Sequence, residues 1–325
     1  MNEWADDVWT AASMYYLQGE TMDVIAKHLG TSRSTVSRLL KQARETGLVR
    51  ISLAQPTSAR QGLGTTYARL FGVRATIVPV KSGTTEVHRL DQVARTAAQS
   101  LTDAVHDGST VGIAWGTTLD AVAHHIIPKE TRGVHILQMN GSANPTSSGI
   151  PYVGEITARI ADAFDADVIH FPIPAFFDNP ATRASMWKER SIQSVLRTRA
   201  TLDVAVFGVG GLQAPVPSHV YSSGYLTEEE MAELRSSGVV GDVNTVFLRA
   251  DGSFDVPFNN RATGMTPTEI RKVPRRICVV AGKAKARALL AALRARVATD
   301  LIVAESVAEA VVDRGAAAGH DVWLL

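Results

Sequence analysis

Short apolar runs alternate with longer amphipathic segments from about residue 76 onward, and this alternation restricts the fold more than any other feature. Eight runs have the length and composition of buried strands: Thr76–Val80, Val111–Trp115, Val134–Met139, Asp167–Phe171, Val204–Val209, Val246–Arg249, Ile277–Ala281 and Leu301–Val303. Helical spacing of apolar residues fills most of the gaps, in Glu86–Ala104, Leu119–Ile127, Thr227–Ser236, Ala284–Val297 and Val307–Asp313. Since parallel strands need long crossover connections, usually helices, the pattern predicts an α/β fold with a parallel sheet covered on both faces. A last short strand is predicted at Val322–Leu325.

Three helices are predicted ahead of this region, in the first fifty residues. Apolar residues at helical spacing indicate a helix over residues 3–18. Thr21 can cap a second, short helix, and Ser32 can cap a third that runs to about Thr46-Gly47. Two crossing helices separated by the turn at Gly30-Thr31 are typical of a helix-turn-helix.

The boundary between the two regions is predicted by a change of composition. Val49–Leu53 alternates as a short strand does, and Gln55–Ser58 places a proline among small polar residues, as linkers do. A chain of 325 residues is long enough for one compact module plus a larger one. We therefore expect a helical domain over residues 1–53 and an α/β domain over residues 54–325.

The third helix has an apolar side and a polar side. Val36, Leu39, Leu40 and Ala43 share the apolar side. The polar side and the start of the helix carry the residues that we predict to bind DNA: Ser32, Arg33, Ser34, Thr35, Ser37, Arg38 and Lys41. Arginine can bond guanine in the major groove, while hydroxyls and free N–H groups suit phosphate. A plain helical hairpin with a solvated face would show the same charge, but the joint spacing and the concentration of bases after residue 31 favour a DNA-binding element.

Glycine-rich or polar loops follow several of the predicted strands. In parallel α/β sheets, ligands bind where such loops leave the carboxyl ends of strands and enter helices. Glycine, threonine and backbone N–H groups can cradle a phosphate, a lysine can complete an anion site, and a carboxylate can accept bonds from hydroxyls. Each loop alone could be an ordinary turn or helix cap. Their shared location predicts one binding site, for which the candidates are Gly116, Thr117, Thr118, Asn140, Gly141, Ser142, Gly210, Asp242, Gly282 and Lys285.

The chain resembles the SorC family of sugar-responsive transcription regulators over nearly its whole length. In the helical region the shared features are Tyr15-Tyr16, Ile25-Ala26, Leu29-Gly30, Thr35–Leu40 and Gly47–Val49. In the α/β region they are Gly224–Leu226, Val240–Asp242, Arg249–Gly252, Ala281-Gly282 with Lys285, and Thr299-Asp300. The resemblance implies a Rossmann-like effector domain similar to sugar-phosphate isomerases, binding of double-stranded operator DNA, and assembly as a homo-oligomer, either a dimer or a tetramer.

The resemblance also implies roles for individual residues. Family members hold the effector phosphate with a Gly-Thr-Thr loop and a later lysine, which correspond here to Gly116, Thr117, Thr118 and Lys285. They contact effector hydroxyls through an aspartate that corresponds to Asp242.

Two positions depart from the family pattern. A second glycine usually found before the lysine is absent, so either the loop is shorter or Lys283 takes the place of Lys285. One member of the family bonds its effector covalently through a lysine, and the corresponding position here is Asn140. An asparagine at that position predicts reversible binding.

These features predict a regulator of a carbohydrate or polyol catabolic operon, controlled by a small sugar, polyol or sugar-phosphate effector. An enzyme of the sugar-phosphate isomerase type is the main alternative. Such chemistry would need an acid/base partner for Asp242, and the loops offer no obvious histidine or glutamate. A sensor that acts through a protein partner is the second alternative, and it would lack salt-dependent operator binding.

Composition and sequence context exclude several other classes of protein. None of the nine histidines has metal-ligand spacing, so no metal or cofactor is predicted. The acidic start lacks the segments of a signal peptide, and no apolar run approaches the ~20 residues of a membrane span, so we expect a cytoplasmic protein. The single cysteine, Cys278, lies in an apolar run and is expected to be a buried, inert thiol.

Overall fold

The computed structural model describes residues 3–49, 59–212 and 218–317. It divides the chain into two compact units, Met1–Gln55 and Pro56–Leu325. The predicted domain boundary after residue 53 and the linker Gln55–Ser58 lie outside the described residues. So do the predicted strand Val322–Leu325 and all but the first residue of the predicted strand Val49–Leu53.

The first unit contains the three predicted helices, α1 (Glu3–Tyr16), α2 (Met22–His28) and α3 (Arg33–Glu45). Both predicted caps are present, since the Thr21 side chain accepts a hydrogen bond from the N–H of Val24 and the Ser32 side chain accepts one from Thr35. The helices enclose a small core of Val8, Ala11, Ala12, Ile25, Ala26, Val36, Leu39, Leu40 and Ala43. This core holds α3 with its apolar side inward.

In the second unit, the described residues contain ten strands: β1 (Arg74–Val78), β2 (Thr110–Ile113), β3 (His135–Gln138), β4 (Asp167–Ile169), β5 (Val204–Gly208), β6 (Gly210–Gly211), β7 (Val239–Val243), β8 (Val246–Arg249), β9 (Arg275–Val280) and β10 (Asp300–Ala304). Seven of them form one sheet in the order β1-β10-β9-β5-β2-β3-β4, and every pairing in it is parallel. The predicted parallel α/β fold is confirmed.

Helices precede, connect or follow most of these strands: α4 (Ala59–Phe71), α5 (Glu86–Ala104), α6 (Thr117–Ala123), α7 (Ile150–Phe164), α8 (Pro180–Met186), α9 (Arg190–Arg199), α10 (His219–Ser222), α11 (Glu228–Ser236), α12 (Pro267–Ile270), α13 (Ala286–Arg294) and α14 (Glu305–Ala317). In the predicted helix Ala284–Val297, a 3₁₀ turn over Lys283–Lys285 precedes α13. The predicted helix Leu119–Ile127 is replaced by α6, which begins two residues earlier and ends at Ala123.

The placement of Val246–Arg249 in the parallel sheet was wrong. This strand, β8, pairs antiparallel with β7, and β7 pairs antiparallel with β6, in a separate three-stranded sheet. The reason is local, because only two residues, Asn244 and Thr245, join β7 to β8. A two-residue connection permits an antiparallel hairpin and is too short for a parallel crossover.

The central strands of the large sheet are covered on both faces. All five residues of β10 are buried, and successive side chains of a strand point to opposite faces. Cys278, on the neighbouring strand β9, is fully buried, and burial raises the pKa of its thiol to about 12. This agrees with the prediction of an inert thiol.

Candidate DNA-binding helix and effector pocket

The residues predicted to bind DNA lie on the solvent side of α3 and at its start. Six of them are exposed and Thr35 is half-buried. The opposite side of the helix is buried through Val36, Leu39, Leu40 and Ala43. The helix therefore presents a continuous polar face that carries three basic side chains and four hydroxyls.

Hydroxyl groups organise the start of this face. The Ser32 hydroxyl caps α3 and lies 2.7 Å from the hydroxyl of Ser34 and 3.0 Å from that of Thr35. The guanidinium of Arg38 donates to the Thr35 hydroxyl at 3.2 Å, one turn further along. These contacts keep Arg38 directed toward the N-terminal end of the helix while it remains in solvent.

The other two bases make loose surface ion pairs. Arg33 lies 3.9 Å from Asp23, and Lys41 lies 3.6 Å from Glu45. All four side chains are about two-thirds exposed, so the pairs contribute little to stability. Both bases can exchange these partners for a phosphate at small cost.

A pocket in the second unit collects most of the predicted effector residues. It lies past the carboxyl ends of β2, β3 and β5 and beside β7. Seven of the ten candidates line it: Gly116, Thr117, Thr118, Asn140, Gly210, Asp242 and Lys285. Loops that are up to 169 residues apart in sequence thus meet in one place, as expected for the carboxyl edge of a parallel sheet.

Asp242 is buried in the wall of this pocket. One carboxylate oxygen accepts a hydrogen bond from the Tyr221 hydroxyl at 2.7 Å, and the other accepts one from the N–H of Thr245 at 3.2 Å. Burial raises the pKa of the Asp242 carboxyl, while the bond from Tyr221 acts in the opposite direction. A side chain at Gly210 would come within 1.9 Å of the Asp242 carboxylate, so a glycine is required there.

Of the two lysines in the 3₁₀ turn, only Lys285 lines the pocket. Lys283 is exposed and absent from its lining, whereas Lys285 is half-buried. Burial lowers the pKa of the Lys285 ammonium, and the negative charge of Asp242 partly offsets that shift. The pocket therefore combines a partly desolvated cation with a buried carboxylate.

The other three candidates, Gly141, Ser142 and Gly282, lie outside the lining. The carbonyl of Gly141 accepts a bond from the indole N–H of Trp115, and the carbonyl of Ser142 accepts one from the Tyr225 hydroxyl. Gly282 precedes the 3₁₀ turn that carries Lys285. These residues shape the walls behind the pocket.

Aromatic residues that the sequence interpretation missed form part of the pocket wall. Trp115 stacks on Tyr225 with ring centroids 5.2 Å apart, and the ring of His219 contacts Trp115, Tyr225 and Tyr152. Burial lowers the pKa of His219. The sequence indicated no obvious histidine in these loops, and His219 was missed because nothing near it in sequence indicates which strand ends it faces.

A buried arginine supports the loop that carries Asn140. The side chain of Arg199 is 3% exposed and donates to the carbonyls of Met139 and Thr263 and to the carboxylate of Glu269. The hydroxyl of Thr263 in turn accepts the N–H of Gly141. This network fixes both sides of Asn140.

The comparisons with known proteins cover both units. The family model "Putative sugar-binding domain" matches residues 57–313, and a "Helix-turn-helix domain" model matches residues 11–54. The deoxyribonucleoside regulator of Bacillus subtilis is 30% identical over 304 residues, which are 93% of this chain and 96% of that protein.

Comparison with solved structures also finds transcription regulators with a similar fold. A domain of a possible sugar-binding transcriptional regulator from Arthrobacter aurescens is 42% identical, with a TM-score of 0.75 over 80% of this chain and 100% of that chain. The full-length sorbitol operon regulator SorC from Klebsiella pneumoniae has the same fold, with a TM-score of 0.68 and 23% identity over 95% of this chain and 99% of that chain.

The proteins named above are regulators, and the family models match a helix-turn-helix and a sugar-binding domain in this chain. These similarities do not support the isomerase-type enzyme. Within the described residues, no helix has the length and apolar character needed to cross a membrane. The chain belongs to the SorC family of sugar-binding transcriptional regulators.

Proposed function

We propose that the protein controls a carbohydrate or polyol catabolic operon in response to a phosphorylated, sugar-like effector that binds reversibly. The observation that carries this assignment is the pocket that combines Lys285 with Asp242. An ammonium in a partly desolvated site attracts a phosphate, and a buried carboxylate accepts bonds from hydroxyls. The names of the sorbitol operon and deoxyribonucleoside regulators support a carbohydrate-containing effector.

Within this pocket, Lys285 and the hydroxyls of Thr117 and Thr118 bind the phosphate, and Gly116 and Gly210 allow the ligand to approach the backbone. Asp242 and Asn140 bind the sugar or polyol portion. Gly141, Ser142 and Gly282 act indirectly, by shaping the loops. Asn140 carries no nucleophile, which supports reversible association.

The polar face of α3 reads the operator. Arg38 contacts a base edge in the major groove, while Arg33, Lys41 and the hydroxyls of the helix start contact phosphates. Residues 1–53 form the DNA-binding domain, and residues 54–325 bind the effector and mediate assembly into a dimer or tetramer. A regulator that binds operator DNA acts in the cytoplasm. The effector shifts the oligomer between arrangements that bind operator with different affinity.

A thermal-shift screen over sugar phosphates, free sugars and polyols tests the effector assignment. A ligand that binds the folded protein raises the melting temperature (Tm), by an amount that grows with its concentration. We expect the largest increase from a phosphorylated member of the panel. A free sugar that acts as strongly as its phosphate ester would contradict the phosphate assignment.

Operator binding separates this function from that of a sensor with a protein partner. We expect the full chain to retain specific fragments from a random DNA pool, with an affinity that falls steeply as salt is raised from 50 to 200 mM. Absence of any salt-dependent DNA binding would favour the protein-partner alternative.

A further inference from the structure

Two asparagine side chains face the effector pocket with unused hydrogen-bonding capacity. Asn140 is 1% exposed and Asn244 is 5% exposed, and both line the pocket. Among the described residues, neither the Oδ1 nor the Nδ2 of Asn244 has a hydrogen-bond partner, and the Oδ1 of Asn140 has none either. Buried amides are normally satisfied, and leaving one unpaired costs free energy. Such groups in a ligand pocket are available to form hydrogen bonds with a ligand.

The backbone at Asn244 is also unusual. Asn244 and Thr245 have φ values of +53° and +64°, in the two-residue turn between β7 and β8. Both central residues of a type I′ turn need positive φ, and the preferred sequence is Asn-Gly. A β-branched threonine in the second position is strained, and strained residues persist where the surrounding structure holds them.

The surroundings of the turn supply that restraint. The N–H of Thr245 donates to the carboxylate of Asp242, and its hydroxyl donates to the carbonyl of Asn244. A side chain at Gly264 would come within 1.7 Å of the Asn244 carbonyl, so the turn is packed closely against that glycine. Asn244 is therefore held in one orientation, with its carboxamide in the pocket beside Asp242.

The chemistry of these atoms selects a class of ligand group. A carboxamide oxygen needs a donor, which the oxygens of a phosphate dianion cannot provide, and a carboxamide nitrogen needs an acceptor. A hydroxyl provides both. Because both atoms of the Asn244 amide lack partners, the conclusion does not depend on how its oxygen and nitrogen are assigned.

We propose that Asn244, together with Asn140, is a specificity-determining contact that reads hydroxyl groups of the effector and selects hydroxylated sugars over their deoxy counterparts. This inference rests on the proposed sugar-effector function and narrows it. A deoxy analogue leaves the buried amides unpaired, and sites built to bond a hydroxyl discriminate strongly against ligands that lack it. The expected preference is at least about tenfold for the critical hydroxyl.

The ligand experiment uses calorimetry on the full chain. It first measures the affinities of ribose 5-phosphate, glucose 6-phosphate and glucitol 6-phosphate, and then those of the deoxy analogues of whichever binds most tightly. The wild type should lose at least about tenfold in affinity for one deoxy analogue, and Asn244→Gly should reduce that preference to about twofold or less. Glycine is the suitable replacement because it accepts the positive φ.

The outcomes separate this inference from the function on which it rests. If a deoxy sugar phosphate binds as tightly as its parent, or if Asn244→Gly retains the preference, the inference is overturned and the sugar effector stands. If no member of the panel binds, in either form, the sugar-effector function fails and the inference falls with it.

A second measurement needs no ligand. Asn259 is a matched control, since its amide accepts a bond from the N–H of Phe247 and donates to the carbonyls of Phe247 and Phe254. Asn259→Gly should lower Tm by about 4 °C or more, while Asn244→Gly should leave Tm unchanged or raise it, because no described bond is lost. An equal decrease in both variants would show that Asn244 has a structural role, and would overturn the inference.

Discussion

The polar face of α3 and the effector pocket both concentrate polar side chains, but they hold them in opposite environments. On α3 the bases are solvated and their ion pairs are loose, at 3.6 and 3.9 Å. In the pocket, Asp242 and the two asparagines are at least 95% buried, and the pKa values of Asp242 and Lys285 are shifted by burial. Substitutions on α3 should therefore change DNA affinity without changing stability, whereas substitution of a buried, hydrogen-bonded residue behind the pocket, such as Arg199, should lower stability as well.

The largest effect is expected at Arg199, behind the pocket. Arg199→Leu removes a buried guanidinium and leaves the carbonyls of Met139 and Thr263 unpaired. Leaving two buried carbonyls without a donor should lower the free energy of unfolding by about 2–5 kcal/mol, as measured by urea denaturation. Arg95→Leu is the control, because that arginine is 64% exposed and should cost less than about 0.5 kcal/mol. A similar decrease in the free energy of unfolding in both variants would contradict the proposed difference between buried and exposed charges.

The next largest effect is expected on ligand affinity, when the two lysines of the 3₁₀ turn are replaced in turn. Lys285→Ala should weaken binding of the best phosphorylated ligand by about 1.5–3 kcal/mol, since it removes a charge-assisted contact. Lys283→Ala should leave that affinity within about twofold, because Lys283 is exposed outside the pocket. Calorimetry on both variants measures their affinity for this ligand. The reverse result would place the phosphate contact at Lys283.

A somewhat smaller loss is expected at the DNA face. Arg38→Ala should reduce operator affinity by about 1–3 kcal/mol in a fluorescence anisotropy titration. Its Tm and its affinity for effector should match those of the wild type, because Arg38 is exposed and its described side-chain bond is to Thr35. Arg95→Ala, an exposed arginine outside the first unit, is the control for non-specific loss of charge. Unchanged operator binding in Arg38→Ala would contradict the assignment of this face to the major groove.

The smallest effect is a dependence on pH. Burial lowers the pKa of Lys285 below its ordinary value of 10.5. The protonated form attracts phosphate, so affinity should fall as pH rises, beginning at lower pH than for an exposed lysine. Lys285→Arg keeps its charge at every pH tested and should show no such fall between pH 7 and 10. An identical pH profile in the two proteins would mean that Lys285 does not bind the phosphate.

Local sequence patterns were sufficient to predict the helices of the first unit. The caps at Thr21 and Ser32 and the two sides of α3 follow from spacing within one helix, so sequence could predict them. Much of the pocket was also predictable, because Gly116 and Lys285 follow buried strands and parallel strands bring their carboxyl ends together.

The remaining pocket residues depend on contacts between distant segments. Arg199 is 60 residues from Met139 and 70 from Glu269 in the chain, and no local pattern marks it. Asn244 and Thr245 occupy a hairpin turn that sequence did not reveal, because the Asn-Gly signal of such turns is replaced by Asn-Thr. His219 similarly gains its position from packing against Trp115 and Tyr152.

The most direct test of the account is the operator affinity of the full chain with and without a saturating effector, measured by anisotropy with the best phosphorylated ligand from the screen. In the wild type we expect the operator affinity to change by at least about fivefold, and, by reciprocity, the effector affinity to change by the same factor when operator is bound. At a ligand concentration that just saturates the wild type, Lys285→Ala should show a smaller change in operator affinity. An operator affinity that is unaffected by a ligand bound in the pocket would contradict the claim that this pocket controls DNA binding.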